Sequence, residues 1–367
     1  MATKKHTLST AEVIRNSETI FHNIRWKNGI VVCPYCGSIH IKEHEGYHYR
    51  CLDCKNRFTD KTNTLMHGSK LPVSIWLQAM YEMFVDNLIS SNVLAVKLGI
   101  NIKSAWLLRL KISKSMEQDR ILLQGIVAQD EMYIGGCLSN YHYSRKWDLL
   151  RKGNYVTSDE KRYSKTALYS LNAALKQPVF GMNDGQRIVL AALPNNIRKE
   201  YLWQLNKEHV IAGSTTVSDE SKLYNGWEKH TGCPIYTNNH HDNQYTTKEG
   251  YTSNRIENTF SWYKRGFGGR ITHCKYHQLY LNEFCFRYNT RHMSTEERFR
   301  SAIEHTIGHH YTYKDIIDYK PFYKYDIKGN NDFTIEEIKK ILSYGSVYEI
   351  RQHGKVYTRT DMMKGLF

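Results

Sequence analysis

The sequence predicts a mixed α/β protein in which a small metal-stapled ribbon and a helical module precede a larger domain of strands and helices. Three observations predict it: two CxxC pairs inside residues 33–54, apolar residues at helical spacing over residues 70–118, and strand-like segments that carry acids beyond residue 120. The 367 residues hold 51 Lys and Arg against 36 Asp and Glu, a formal charge of +15, which argues for a polyanionic partner, most often nucleic acid. No apolar run reaches the roughly 18 residues that span a bilayer, so no transmembrane span of that kind is expected. Met1 to His6 leads into polar sequence without a secretory pattern, and a cytoplasmic location is expected.

Residues 1–24 are expected as an N-terminal helical segment and residues 25–68 as a zinc ribbon. Cys33-Pro34-Tyr35-Cys36 and Cys51-Leu52-Asp53-Cys54 supply four thiolates, the set that tetrahedral Zn²⁺ takes. Gly37 permits the turn that aims the first pair of sulfurs at one point. Tyr47 to Arg50 and Arg57 to Thr59 read as short strands. Four protein ligands leave no open position, so this metal is structural. Cys137, Cys233, Cys274 and Cys285 are scattered, which fits a reducing compartment and not a disulfide framework.

Residues 69–120 read as a helix-turn-helix. Leu71-Pro72 opens a helix carrying Ile75, Trp76, Ala79, Met80, Met83 and Phe84. Ser90-Ser91 caps a second with Leu94, Ala95 and Leu98. Gly99 ends it, and Asn101 caps a third from Ile102 to about Met116. The third helix carries Lys103, Arg109, Lys111 and Lys114, cations suited to phosphates.

Residues 121–300 change character again. Ile126 to Gly136 reads as a strand with Asp130 in its middle. Val179 to Met182 and Ile188 to Leu193 read as strands around the turn Asn183-Asp184-Gly185. Ile197 to Leu205 reads as a helix, and Ser214 to Asp219 as a strand ending in an acid. In Asn254-Arg255-Ile256-Glu257-Asn258-Thr259-Phe260-Ser261-Trp262-Tyr263-Lys264-Arg265-Gly266, the residues Asn254, Glu257, Ser261 and Lys264 share one helical face. Glu131, Glu220, Asp184 and Asp242 read as surface or capping groups, Asn254 as a helix cap, and Phe260 and Trp262 as core. His240-His241 reads as part of a polar loop.

The ribbon, the helix-turn-helix, DE-x-Y-I-GG, a second Asp, N-x-I-E-N-x-F-S-W-x-K-R-G and then Tyr280 to Asn289 together resemble the IS1595-family (ISXO2-like) insertion-sequence transposases, over roughly residues 25–293. The resemblance implies an RNase H-like core with a DDE triad. Asp130 falls on the first carboxylate, Asp219 on the second and Glu257 on the third, with Lys264 on the family's downstream basic residue. Some members carry Asn as third residue, so Asn254 is a second candidate ligand. Two Mg²⁺ ions at these carboxylates, with Mn²⁺ as possible substitute, would serve in-line displacement at phosphorus. Implied partners are the terminal inverted repeats and target DNA, and a second copy of the chain, because two ends must meet. Implied surroundings are a bacterial or archaeal nucleoid.

Lys264, Arg265 and Arg270 are candidate DNA contacts, as is a basic insertion over residues 138–170 that holds Arg145, Lys146, Arg151, Lys152, Lys161, Arg162 and Lys165. Residues 301–367 form a C-terminal extension. It is expected to hold a helix opened by the capping box Thr334 to Glu337 and a hairpin around His353-Gly354. A non-catalytic DNA-binding regulator derived from a transposase, and an RNase H-like nuclease without joining activity, are the alternatives.

Overall fold

The computed structural model describes residues 9–85, 89–118, 121–135, 142–145, 148, 176–194, 197–238, 250–268, 276–319, 349–352 and 355–358. Met1–Tyr319 forms one compact unit and Lys320–Phe367 a second.

The first unit opens with α1 (Thr10–Arg15) and α2 (Ser17–Arg25), α1 entered through a capping box between Ser9 and Glu12. The ribbon follows as three antiparallel strands, β1 (Ile41–His44), β2 (His48–Cys51) and β3 (Arg57–Thr59). Trp26, Val31, Tyr49 and Phe58 form its small core. Buried Asp60 accepts from Trp26 Nε1 at 2.7 Å and lies 2.9 Å from His22 Nδ1, which ties the ribbon to α2. Gly37 takes φ +76°, the left-handed turn expected of it. The sequence reading missed β1.

Three helices come next: α3 (Val73–Val85), α4 (Ser91–Leu98) and α5 (Ile102–Ser115). Ser90 Oγ caps α4, Gly99 ends it at φ +63° with N–H bonds to Ala95 and Val96, and Asn101 caps α5. Phe21, Leu77, Met80, Phe84, Leu94, Leu108 and Phe299 join these helices into one core.

The largest sheet contains β4 (Ile126–Ile134), β5 (Gln177–Asn183), β6 (Ile188–Ala192), β7 (Thr215–Asp219) and β8 (Ile235–Asn238), in the order β6-β5-β4-β7-β8. The β6-β5-β4 half is antiparallel, and β4-β7-β8 is parallel. Asp184 accepts from the N–H groups of Gln186 and Arg187, which closes the turn between β5 and β6. Helix α6 (Lys199–His209) joins β6 to β7, and α7 (Trp227–Thr231) leads to β8. The first of these starts two residues later than the sequence suggests, because Arg198 is extended (φ −114°, ψ 142°), and it runs on to His209.

Helices α8 (Asn254–Tyr263) and α9 (His277–Asn289) cover one face of this sheet. Ala128, Met132, Val179, Leu190, Ile256, Phe260, Tyr263, Leu281 and Phe284 form the core between them. A single π-helical turn, Lys264–Gly268, continues α8. Helix α10 (Thr295–Glu304) returns to pack on α3, and α11 (Tyr313–Ile317) packs on α5.

In the second unit the described residues are one antiparallel hairpin, β9 (Glu349–Gln352) and β10 (Lys355–Thr358), in the expected place. The helix expected from Thr334 lies outside the described residues. No helix among the described residues is long and apolar enough to cross a membrane.

Candidate active site

The acids meet where β4 and β7 run side by side. The two strands are in register from Ile126↔Thr215 to Ala128↔Val217, and two residues further on Asp130 stands beside Asp219. The strands are parallel, so their in-register side chains share a face. Carboxylate oxygens of Asp130, Glu131 and Asp219 all lie within 4.8 Å of one another. Asp130 Oδ1 also accepts the N–H of Glu131 at 2.7 Å.

Glu131 is a correction to the sequence reading, which took it for a surface or capping group. It is partly buried and accepts a 2.8 Å hydrogen bond from the Tyr224 hydroxyl. Burial raises its pKa, the hydrogen bond from Tyr224 opposes that, and the charges of Asp130 and Asp219 raise it further, to about 7. Burial and the neighbouring Glu131 likewise hold the Tyr224 hydroxyl well above its ordinary pKa. Strict alternation along β4 would send Glu131 away from Asp130, so period alone did not reveal this group.

Helix α8 brings the remaining residues to the same place. Asp130, Glu131, Met132, Glu257, Phe260, Ser261, Lys264 and Arg265 line a cleft of ≈ 530 Å³. Glu257 sits in the first turn of α8, where the helix dipole favours an acid, and its Oε1 accepts from Ser253 Oγ at 2.9 Å. A close approach of helix to sheet makes this possible. The Cα partner of Asp130 on β5 is Gly181. A Cβ at Gly181 would lie 2.6 Å from Phe260 Cε1 and 2.7 Å from Ile256 Cδ1. The missing side chain is the space in which α8 rests.

Asn254 is the first helical residue of α8, exposed and outside the cleft lining, and Ser253 takes the cap position. Trp262, read as core, is 51% exposed, with its ring 5.9 Å from that of Tyr288.

The basic residues of α5 divide. Lys103 is exposed and Lys111 partly buried. Arg109, expected to face phosphate, is 5% exposed and makes a fork of hydrogen bonds to Glu283 on α9, Nε to Oε2 at 3.1 Å and Nη2 to Oε1 at 3.1 Å. Lys114 is also buried. Its Nζ lies 3.0 Å from Glu117 and over the rings of Tyr311 and Tyr319. Both side chains are held inside the unit because α5 is covered on that side by α9 and α11. Arg265 is exposed at the cleft. Arg270, Cys137, Cys274, His240, His241, Asp242 and most of the basic insertion lie outside the described residues.

In the ribbon, Cys33 Sγ lies 3.6 Å from Cys54 Sγ, and Cys36 Sγ 3.6 Å from Cys51 Sγ. The four thiols converge on one point that can hold a metal ion. The oxygen-only carboxylate group suits a hard divalent cation instead.

Residues 122–289 match the family model of the ISXO2-like transposase domain. Over 154 residues the chain is 27% identical to an uncharacterized protein in transposable element ISH50 of Halobacterium salinarum, covering 40% of this chain and 52% of that protein. The chain thus spans about half the length of this curated relative. No solved structure matches the chain.

Proposed function

Because residues 122–289 carry the ISXO2-like transposase domain, we propose that this protein is a DNA transposase that binds the terminal inverted repeats of a mobile element and catalyses strand cleavage and strand transfer. The observation that carries the reading is the meeting of Asp130 and Asp219, with Asp130 lining a cleft that Glu257, Lys264 and Arg265 also line. The sheet supports it too. Its five strands, taken in chain order, lie 3-2-1-4-5 with the first three antiparallel, and we read this as an RNase H-like core.

Asp130, Asp219 and Glu257 would hold two Mg²⁺ ions, or Mn²⁺, which when bound activate the attacking oxygen and stabilise the leaving one. Lys264 and Arg265 supply positive charge at the mouth of the cleft, where a DNA phosphate would be drawn in and held. The hydrogen bonds Glu131 N–H to Asp130 and Ser253 to Glu257 fix two carboxylates before substrate arrives, so less ordering is left to the reaction itself. The four-cysteine ribbon, loaded with Zn²⁺, and helices α4 and α5, on which Lys103 is exposed, would engage the element ends as a helix-turn-helix would. A second copy of the chain would hold the second end.

Cleavage of labelled element-end DNA with Mg²⁺ tests the proposal. Wild type should nick at the element boundary and join the end to target DNA. Asp130→Asn and Asp219→Asn should bind DNA and do neither. Retained cleavage in both variants would overturn the assignment of the site. End binding by wild type with no cleavage would favour the regulator, and cleavage without joining the nuclease.

A further inference from the structure

The last residue of β8 stands next to this site and has no role in it so far. Asn238 is the in-register partner of Asp219 across the parallel β7–β8 pair. In-register neighbours on parallel strands direct their side chains to the same face. Asp130, Asp219 and Asn238 therefore form a row across three strands, at the carboxyl ends of β7 and β8. Asn238 is 1% exposed. Among the described residues, neither its amide nitrogen nor its amide oxygen has a hydrogen-bond partner.

A buried amide with both ends unsatisfied is costly, and native proteins rarely leave one without a reason. Its place beside Asp219 supplies the reason. An amide offers one carbonyl oxygen, a good ligand for a hard cation, and two N–H donors, good partners for a water or a carboxylate oxygen. A hydrated divalent cation held by Asp130 and Asp219 would meet both needs together. We propose that Asn238 is a further residue of the cation site, holding the ion or its water through the side-chain amide. The proposal rests on the reading of Asp130 and Asp219 as cation ligands.

A matched comparison exists in the same unit. Asn206 on α6 is also fully buried, with both amide atoms lacking a partner among the described residues. It stands on a helix, away from the row of acids. If an orphaned amide were only a local flaw of packing, Asn238 and Asn206 would behave alike.

The test is Mn²⁺ binding by the full chain, with the ribbon saturated by Zn²⁺, read as free Mn²⁺ by electron paramagnetic resonance. Supporting residues around metal ligands are typically worth about 10–100-fold in affinity. Asn238→Leu should keep its unfolding midpoint without Mn²⁺ and bind Mn²⁺ at least about 10-fold more weakly. Asn238→Asp, which keeps an oxygen donor, should bind at least as tightly as wild type, and it carries the test if the Leu variant does not fold. Asn206→Leu should leave Mn²⁺ affinity unchanged. Wild-type affinity in Asn238→Leu overturns the proposal, as does weakened binding in Asn238→Asp. Asp130→Asn separates the two levels of argument. If it loses Mn²⁺ while Asn238→Leu does not, only the assignment of Asn238 falls. If it keeps Mn²⁺, the cation site falls and Asn238 with it.

Discussion

Replacing Gly181 by alanine adds one methyl group, and the structure says where its effect would be felt. The new Cβ would meet Phe260 Cε1 at 2.6 Å, Ile256 Cδ1 at 2.7 Å and Phe260 Cζ at 2.8 Å. Carbon atoms rest at about 3.5–4.0 Å, so the neighbours must retreat by about 1 Å. The clashing atoms are side-chain tips, but Ile256 and Phe260 are both buried against the sheet, so rotation has little room to relieve the clash. What the side chains do not absorb passes to helix α8, where Glu257 lies between the two residues that are pushed. Overpacking of this kind costs about 1–3 kcal/mol of stability. A misplacement of about 1 Å can cost on the order of 100-fold in rate. Gly181→Ala should therefore unfold at lower denaturant concentration and cleave end DNA on the order of 100-fold more slowly, with end binding retained. Adding Phe260→Leu, which shortens the obstructing ring, should restore part of the rate. Wild-type cleavage by Gly181→Ala would refute the claim that this close approach sets the position of Glu257.

Glu257→Gln should abolish cleavage while Asn254→Ser keeps measurable activity in the same assay; the opposite pattern would make Asn254 the third residue of the site. Metal analysis should find one Zn²⁺ per chain, lost in Cys51→Ser. Arg109→Ala should destabilise the protein by about 3–5 kcal/mol in chemical unfolding, because it leaves Glu283 buried without its cation. Lys103→Ala should instead leave stability alone and flatten the salt dependence of DNA binding by about 0.9 in log–log slope. His209 is buried, with Nδ1 3.0 Å from the Ile121 carbonyl, and burial lowers its pKa below the ordinary 6.5 even against that bond. The unfolded chain therefore takes up the proton first, and the stability this group gives above about pH 6.5 is lost as pH falls below it. Unfolding measured at pH 7.5 and 5.5 should show a smaller acid loss in His209→Gln than in wild type.

Local signals were readable in the sequence where the chain itself determines the outcome. Ser90, Gly99 and Asn101 mark the ends of α4 and α5 because caps and left-handed turns need those residue types. The paired cysteines converge as their spacing requires. What escaped the reading depends on distant partners. The strand Ile235–Asn238 has only four residues and little apolar alternation, and it is held in place by pairing with β7. The position of Glu131 depends on Tyr224, far along the chain. Arg109 looks like any other cation on α5 until Glu283 is seen to enclose it. Gly181 gives no signal in sequence, because its meaning lies in Phe260 and Ile256.

Helix α5 has one further consequence. Ala105, Leu108 and Ile112 belong to the core of the N-terminal helices, while Leu110 belongs to the core beneath the central sheet, with Trp106 and Leu107 packed against it. One helix is thus a shared wall between two interiors. If α5 reads DNA as proposed, lineages that change the recognised sequence are free to vary only its outward positions, such as Lys103 and Ser104. A foreign helical module spliced in whole would bring the wrong inner face, and the chimera would fail in folding before its DNA preference could be measured. On that proposal, recognition should drift by surface substitution, at the pace of single residues, while the inner face of the helix stays fixed with the sheet it supports.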